Sequence, residues 1–590
     1  MLDDDRLPLC GEPLMIRHWF VNPVMVQLWA SIGTLCVVAD SARVVAEAKL
    51  PGDEYYRQLG QARARQQARD YETAALIYQQ LVDTCRDDGD VWLQLGHCQA
   101  AAGRSREAIA SYQEALDRGA SEPDVIARRI AAAYARLGDK EAAYQWLEKT
   151  ITAGLPDRIA LRREAALAPL ADEEHFRELA AFPPRQGLSR DDAWRYDLQF
   201  LVSEARRLHP ELYRRTTSDS LDNAAKSLAG RVSKLSDAEV AVEFQRIAAA
   251  FGDGHSMAPL GSKQVPLNRI PLRFYWFADG VFVVDADESA RQWIGFEVVR
   301  VGDLPVDEAL EAVSPLVSRD NDMGLRAWAP RLLSMPTVLK VLGIAHDDDV
   351  ALVLRDRDGD EQEVRIAAAP PGARGLPLPP ASEANQPVPR WLRDPDANFW
   401  QEYLDEHATL YIQFNHVAES RRHTFAQFAD EVQAACDQKP VRAIVIDLRH
   451  NGGGNTFLYQ PLLRALIYCE RADKDRKLFA LTSRFTFSAC QNFSADLDRL
   501  TETIFAGEPT GSSPNSIGES TDVILPCSNI RVSISTQRWQ FSYPMDRRVW
   551  IAPEIPVALT SRDYFAGRDP VLDAVLSVIA ADQREPPPAR

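Results

Sequence analysis

The chain has 590 residues, 46% hydrophobic and 26% charged, a length suited to three or four domains and a composition that excludes a disordered or fibrous protein. A formal net charge of −18 repels phosphate backbones, and no basic patch stands out along the sequence, which excludes nucleic acid as a partner class. The eight cysteines form no CxxC pair and no zinc-type Cys/His spacing, so neither a metal site nor a cofactor is expected; they read as buried thiols, with a Cys85–Cys98 bridge as the alternative.

At the N-terminus, Asp3, Asp4 and Asp5 are unsuited to the basic start of an export signal, whereas Met15 is followed by Arg17, His18 and an apolar run from Trp19 to Ala39. Asn22, Pro23 and Gln27 interrupt the run and disfavour a membrane span. Small residues at Ala39 and Ser41 predict cleavage before Ala42. Residues 1–41 therefore read as a signal peptide, with Met15 as a second candidate start and an uncleaved anchor as the rival.

Residues 42–182 are helical and periodic. Ala74, Ala108 and Ala143 recur at spacings of 34 and 35, each followed four residues on by Tyr78, Tyr112 or Leu147, with turn residues at Gly103 and Gly138-Asp139. The pattern resembles tetratricopeptide repeats, two good copies and one degenerate, closed by a capping helix around Leu161–Leu179. Each helix pair cannot bury its apolar face alone, so stacking is required, and the groove that results suits a protein partner.

After the linker Pro183–Gly187, residues 188–260 are expected to be helical and 261–369 β-rich. The strands expected there are Leu272–Phe277, Val281–Val284, Phe296–Val301 and Val350–Leu354, the last two resembling those of a PDZ-like module. A Pro-rich stretch, Pro370–Pro389, leads into residues 390–590, where strands (Thr409–Phe414, Ala443–Leu448, Leu478–Thr482) alternate with helices (Thr424–Cys436, Thr456–Tyr468, Ser488–Leu500). Such alternation predicts an α/β layer with a largely parallel sheet and reactive loops at the strands' carboxyl ends.

Two of those loops carry chemistry. In Asp447-Leu448-Arg449-His450-Asn451-Gly452-Gly453-Gly454, three glycines strip the turn of side chains, leaving backbone N–H groups to meet an oxygen. The other loop places Ser488 at a helix start, where its own N–H and that of Ala489 lack helical partners. Alone, either loop has a plainer reading, as a tight turn or as a helix N-cap.

A third motif, Phe251-Gly252-Asp253-Gly254-His255-Ser256, changes that balance. With the two loops, and with Gly507-Glu508-Pro509-Thr510-Gly511 and Gly567-Arg568-Asp569-Pro570, it resembles in order and wording the C-terminal-processing (tail-specific) serine peptidase family, over about Asp191 to Val578. The resemblance implies a crotonase-type spiral α/β core with a PDZ-like domain, Ser488 as nucleophile, and an oxyanion hole from the Gly452–Gly454 loop, chiefly Gly452 and Gly453, with the Ala489 N–H. The expected fold is thus multidomain, α plus α/β.

The best-known branch of that family activates its serine with a downstream lysine, but the last lysine here is Lys477, eleven residues before Ser488. Neither SxxK nor GxSxG occurs. The Asp-Gly-His motif matches the histidine-dependent, tricorn-like branch and so implies His255 as general base; imidazole has the near-neutral pKa that such proton transfer needs. His450 is the rival base. For the acid that orients His255, Asp546 is preferred and Glu519 is second. The expectation is a secreted serine peptidase acting on peptides or protein tails through an acyl-enzyme. A ligand-binding relative without peptidase action, a scaffold working through the repeat groove, and an esterase are the alternatives.

Overall fold

The computed structural model describes residues 52–582 apart from 156, 185–186, 262, 371–387 and 421–422. The expected signal segment and most of the Pro-rich stretch lie outside the described residues. Within them no helix is long and apolar enough to cross a membrane. The chain divides into two compact units: one takes residues up to Ala153 and Glu164–Ala171, the other Gly154–Arg163 and everything from Asp172.

The first unit stacks α1 (Gly52–Gln67), α2 (Tyr71–Thr84), α3 (Gly89–Ala101), α4 (Ser105–Asp117), α5 (Pro123–Arg136) and α6 (Lys140–Thr152). Asp70, Asp88 and Asp139 cap α2, α3 and α6 by accepting N–H groups of the first turn. The recurring alanines lie where helices meet: Ala74, Ala108 and Ala143 are each 0% exposed. Gly96 permits the closest approach, since a Cβ there would stand 2.6 Å from the Tyr112 ring. The expected capping helix is instead broken. Residues Arg158–Arg163 and Ala165–Leu170 are 3-10 turns, and only Glu174–Leu179, α7, is α-helical. Pro169, inside the second turn, has no N–H to continue a helix. Cys85 is exposed and Cys98 buried, both as free thiols, so no bridge joins them.

The second unit begins its main body with α8 (Arg190–Leu208), α9 (Ser218–Arg231) and α10 (Asp237–Ala249). An antiparallel sheet follows, built from β1 (Leu272–Phe277), β2 (Gly280–Ala286), β3 (Glu297–Val301), β4 (Leu304–Pro305), β5 (Val350–Arg355) and β6 (Glu361–Ile366), in the order β1-β2-β3-β5-β6 with β4 on β3. Between β4 and β5 lie α11 (Val306–Val313), α12 (Asp322–Leu332) and α13 (Pro336–Val341). Helices and sheet do not bury separate cores: Leu201, Phe244 and Ile247 pack in one cluster with Phe274, Val283 and Leu352. Each layer has a single apolar face, and each covers the other.

The last part contains β7 (Phe399–Leu404), β8 (Thr409–Phe414), α14 (Phe425–Gln438), β9 (Ala443–Asp447), α15 (Gln460–Ala472), β10 (Lys477–Thr482), α16 (Ala489–Leu500), β11 (Ile504–Gly507), β12 (Asn515–Ile524), β13 (Arg531–Gln540), β14 (Ile555–Pro556), α17 (Ser561–Phe565) and α18 (Pro570–Asp582). Its sheet runs β14-β11-β10-β9-β8-β7 and is parallel except for β7. β12 and β13 leave it as a long hairpin whose Val532 and Ile534 join the helix-and-sheet core upstream. A two-residue bridge between Met257 and Ser533 ties that hairpin to the segment after α10.

Candidate active site

The β9 loop is fixed by charge. Arg449 is 5% exposed and forks between Asp447 and Asp569, with guanidinium–carboxylate distances of 2.6 and 2.8 Å. That pairing gives the Gly567–Pro570 motif its use: Asp569 holds the loop that precedes the glycines. From this anchor Asn451 turns the chain, its side-chain oxygen accepting the Gly453 N–H at 3.0 Å while its carbonyl accepts the N–H of Phe487 at 3.1 Å. Gly453 (φ 110°) and Gly454 (φ 141°) cannot be replaced without strain. A Cβ on Gly453 would lie 2.6 Å from the Ser488 Cβ, and one on Gly454 would lie 2.2 Å from the Val417 carbonyl oxygen.

Between β10 and α16, Ser483 and Thr486 donate their hydroxyls to the carbonyls of Arg449 and Leu448, so the two loops are tied edge to edge. Ser488 then takes φ 54°, ψ −126°, a conformation rare for a residue with a side chain and costing about 1–3 kcal/mol. The turn lifts the hydroxyl out of the helix start. The N–H groups of Gly452 and Ala489 have no acceptor among the described residues, whereas the Gly453 N–H is spent on Asn451. Of the expected oxyanion donors, Gly452 and Ala489 are therefore free, and Gly453 serves as the space that lets the loops meet.

His255 reaches this point from the end of α10. Asp253, 2% exposed, binds the loop together: Oδ1 accepts the N–H groups of His255 (2.8 Å) and Ser256 (2.7 Å) and the Ser535 hydroxyl (2.6 Å), and Oδ2 meets His209 Nε2 at 2.9 Å. Burial opposes its charge, but the bonds from His209, Ser535 and Ser256 outweigh that and hold its pKa at about 2. Gly254 passes under Phe487 so closely that a Cβ would stand 2.6 Å from that ring. The His255 ring stacks on Phe487 at 4.5 Å, a Cβ on Gly518 would stand 3.1 Å from it, and its Nε2 lies 3.0 Å from Ser488 Oγ.

The expected acids do not complete this pair. The Asp546 carboxylate is taken by Arg548, whose Nη2 is 2.8 Å away, and by the Ser542 hydroxyl at 2.6 Å; the Arg548 bond chiefly holds its pKa at about 2. Glu519 is exposed at a left-handed kink in β12 (φ 50°), where its backbone carbonyl accepts the Thr536 hydroxyl. His255 Nδ1 is buried without a hydrogen-bond partner among the described residues. The rival base His450 faces elsewhere, stacked on Trp391 at 4.9 Å, and burial brings its pKa down to about 4.

One residue the sequence did not point to is Asp320, in the loop before α12. Its buried carboxylate accepts the Gly254 N–H at 2.8 Å and the Ser512 hydroxyl. Burial pushes this carboxyl above the usual range, and the nearness of His255 pulls it the other way. Nothing local marked it: Asp320 stands beside Asn321, the N-cap of α12, and looks like an ordinary helix-start acid.

The tetratricopeptide repeat family matches residues 59–91. None of the curated proteins matches the sequence. Among solved structures, a CPAF mutant is similar at a TM-score of 0.50 and 12% identity, over 67% of this chain and 98% of that one. The photosystem II D1 C-terminal processing protease matches at 0.32 and 14%, over 66% and 98%. The type III secretion chaperone SycD of Yersinia enterocolitica, in complex with a YopD peptide, matches at 0.17 and 23%, over 22% and 88%. The chain thus joins a tetratricopeptide repeat to a multidomain α/β fold similar to that of CPAF.

Proposed function

We propose that the protein is a serine peptidase with Ser488 as nucleophile and His255 as general base. One observation carries the reading: a hydroxyl raised on a strained strand-to-helix turn, 3.0 Å from an imidazole nitrogen, beside two unclaimed backbone donors. His255 Nε2 takes the hydroxyl proton as Ser488 Oγ attacks the scissile carbonyl carbon. The oxyanion that forms is met by the N–H groups of Gly452 and Ala489, preorganised by the glycine loop and the helix start. Collapse passes the proton from His255 to the leaving amine and leaves an acyl-enzyme, which water then hydrolyses by the same route. Asp320 stands in for the expected triad acid. It positions the Asp253–His255 loop through the Gly254 N–H, and its negative charge favours the imidazolium that each step creates. Asp546 is assigned no part in the proton transfers.

A fluorophosphonate probe tests the nucleophile: labelling should map to Ser488 and vanish in Ser488→Ala and in His255→Ala. Each variant should lose on the order of 10⁴-fold or more in turnover of a peptide amide, and the double variant little beyond that. Probe labelling with ester turnover but no amide turnover would make the protein an esterase. Export of the chain, with cleavage before Ala42, and capture of a protein partner by the repeats complete the proposal. N-terminal sequencing of protein from its host checks the first.

A further inference from the structure

Beside the Ser488–His255 pair the hairpin walls a cleft of about 140 Å³, lined by Asn515, Ser516 and Ile517 of β12 and by four arginines, Arg214, Arg538, Arg547 and Arg548, against two acids, Glu211 and Asp546. The next residue of β12, Gly518, faces the His255 ring so closely that a Cβ there would stand 3.1 Å from it. Ile517 and Gly518 are neighbours on β12, so the strand that walls the cleft continues directly to the imidazole. Among the described residues β12 has a strand partner on one side only, β13.

The charges in the cleft are not balanced. Glu211 is spent on Arg538, 2.8 Å away, and Asp546 on Arg548, which also reaches Asp498 at 2.6 Å. Arg214 and Arg547 are exposed on the cleft wall and have no ion pair among the described residues. In a chain of net charge −18, two uncompensated guanidiniums beside the reacting groups make a local positive field. A guanidinium presents a planar fork of donors that matches a carboxylate better than any neutral acceptor. Asn515 braces the wall, since its amide donates to the Tyr543 carbonyl at 2.8 Å and accepts the Ser542 N–H at 3.0 Å.

We propose that this cleft is a carboxylate-binding subsite of the peptide groove, in which Arg214 and Arg547 select substrates with a carboxylate a few residues from the scissile bond. The inference rests on the peptidase reading for its place in the reaction, but binding can be measured without turnover. The carboxylate is that of an acidic side chain, and a free C-terminus is the other source that the test separates from it.

Fluorescence anisotropy on the Ser488→Ala protein would compare C-terminally amidated peptides carrying one Glu, moved along the sequence, with the matching Gln peptides. A second arm would compare the free-acid and amide forms of the Gln peptide. At least one Glu position should bind about five- to tenfold more tightly, the scale of two exposed ion pairs. That ratio should fall to near one in Arg214→Gln/Arg547→Gln and invert towards a Lys peptide in Arg547→Glu. A response to the free acid with none to any Glu position would overturn the proposal. Equal binding in both arms, or a preference that survives the double variant, overturns the subsite. Failure of fluorophosphonate labelling would overturn the peptidase reading alone, because the binding ratio is read independently of turnover.

Discussion

At the scale of single residues, the meeting of Ser488 with His255 was legible because each sits in a short motif whose glycines have a steric role, Gly254 clearing Phe487 and Gly453 clearing Ser488. The acid proposed to position His255 was not, because Asp320 meets Gly254 across 66 residues and shares its local pattern with any helix start. Two substitutions separate the acids. Asp320→Asn keeps an acceptor for Gly254 but removes the charge, and should lower kcat/KM on the order of 10- to 100-fold, the effect of a buried charge on an imidazolium at an effective dielectric near 20. Asp546→Asn should cost less than about tenfold, since its carboxylate serves Arg548. A loss for Asp320→Asn that simply tracks a fall in melting temperature would make its role structural. The glycine gives a sharper test. Gly453→Ala sets a methyl 2.6 Å from the Ser488 Cβ at a φ of 110°. It should cost about 1–3 kcal/mol of stability and reduce the rate of probe labelling by about 100-fold or more through displacement of the nucleophile. Wild-type labelling kinetics in that variant would contradict the close packing of the two loops.

At the scale of elements, three strands of the parallel sheet, β8, β9 and β10, were readable to within a residue because they are short buried apolar runs, and β8 fills its predicted range, Thr409–Phe414, whereas β11 and β14, of four and two residues, were too short to stand out. The helix expected at Thr456–Tyr468 starts later, at Gln460, because Pro461 occupies the first turn, where its missing N–H costs nothing. The β12–β13 hairpin was invisible: about half its residues are Ser, Thr, Gln, Arg or Glu, most of them facing outward though Ser516 and Ser535 are buried, and its apolar face finds its partner in the helices and sheet upstream. Its bond to the His255 loop runs through Asp253, and this contact has a pH dependence. The folded-state pKa of about 2 lies below the ordinary aspartate value of 3.8, so the stabilisation, about 2 kcal/mol, is fully present above pH 4 and is lost as the pH falls toward 2. Acid titration followed by intrinsic fluorescence should lose part of its transition between pH 4 and 2 in Asp253→Asn. An unchanged acid profile would mean that Asp253 carries no excess stability.

At the scale of the whole molecule, the boundary between the repeats and the rest falls earlier than residue 182, where composition alone put it. Residues 154–163 belong to the second unit: Arg158 reaches the buried Glu204 of α8 at 3.2 Å and the Leu179 carbonyl at 2.7 Å, and Arg207 of α8 donates to the Leu155 carbonyl at 2.9 Å. Residues 164–171 belong with the repeats and bury Leu167 and Leu170 there. Such interleaving leaves no compositional mark. It does dictate how the repeats can be removed. A chain starting at Gly154, with Leu167→Ser and Leu170→Ser to cover the apolar face left bare, keeps every residue of the candidate site and should turn over a small peptide at a rate within a few-fold of the full chain. A chain starting at residue 182 strips Arg158 from Glu204, which is 2% exposed and left with Arg207 alone, and should lose a further 1–3 kcal/mol or so of stability. Thermal unfolding of the two truncations, with peptide turnover measured on each, decides the matter. Equal stability would place the boundary at 182 after all, and loss of small-peptide turnover in a folded chain starting at Gly154 would give the repeats a part in the chemistry.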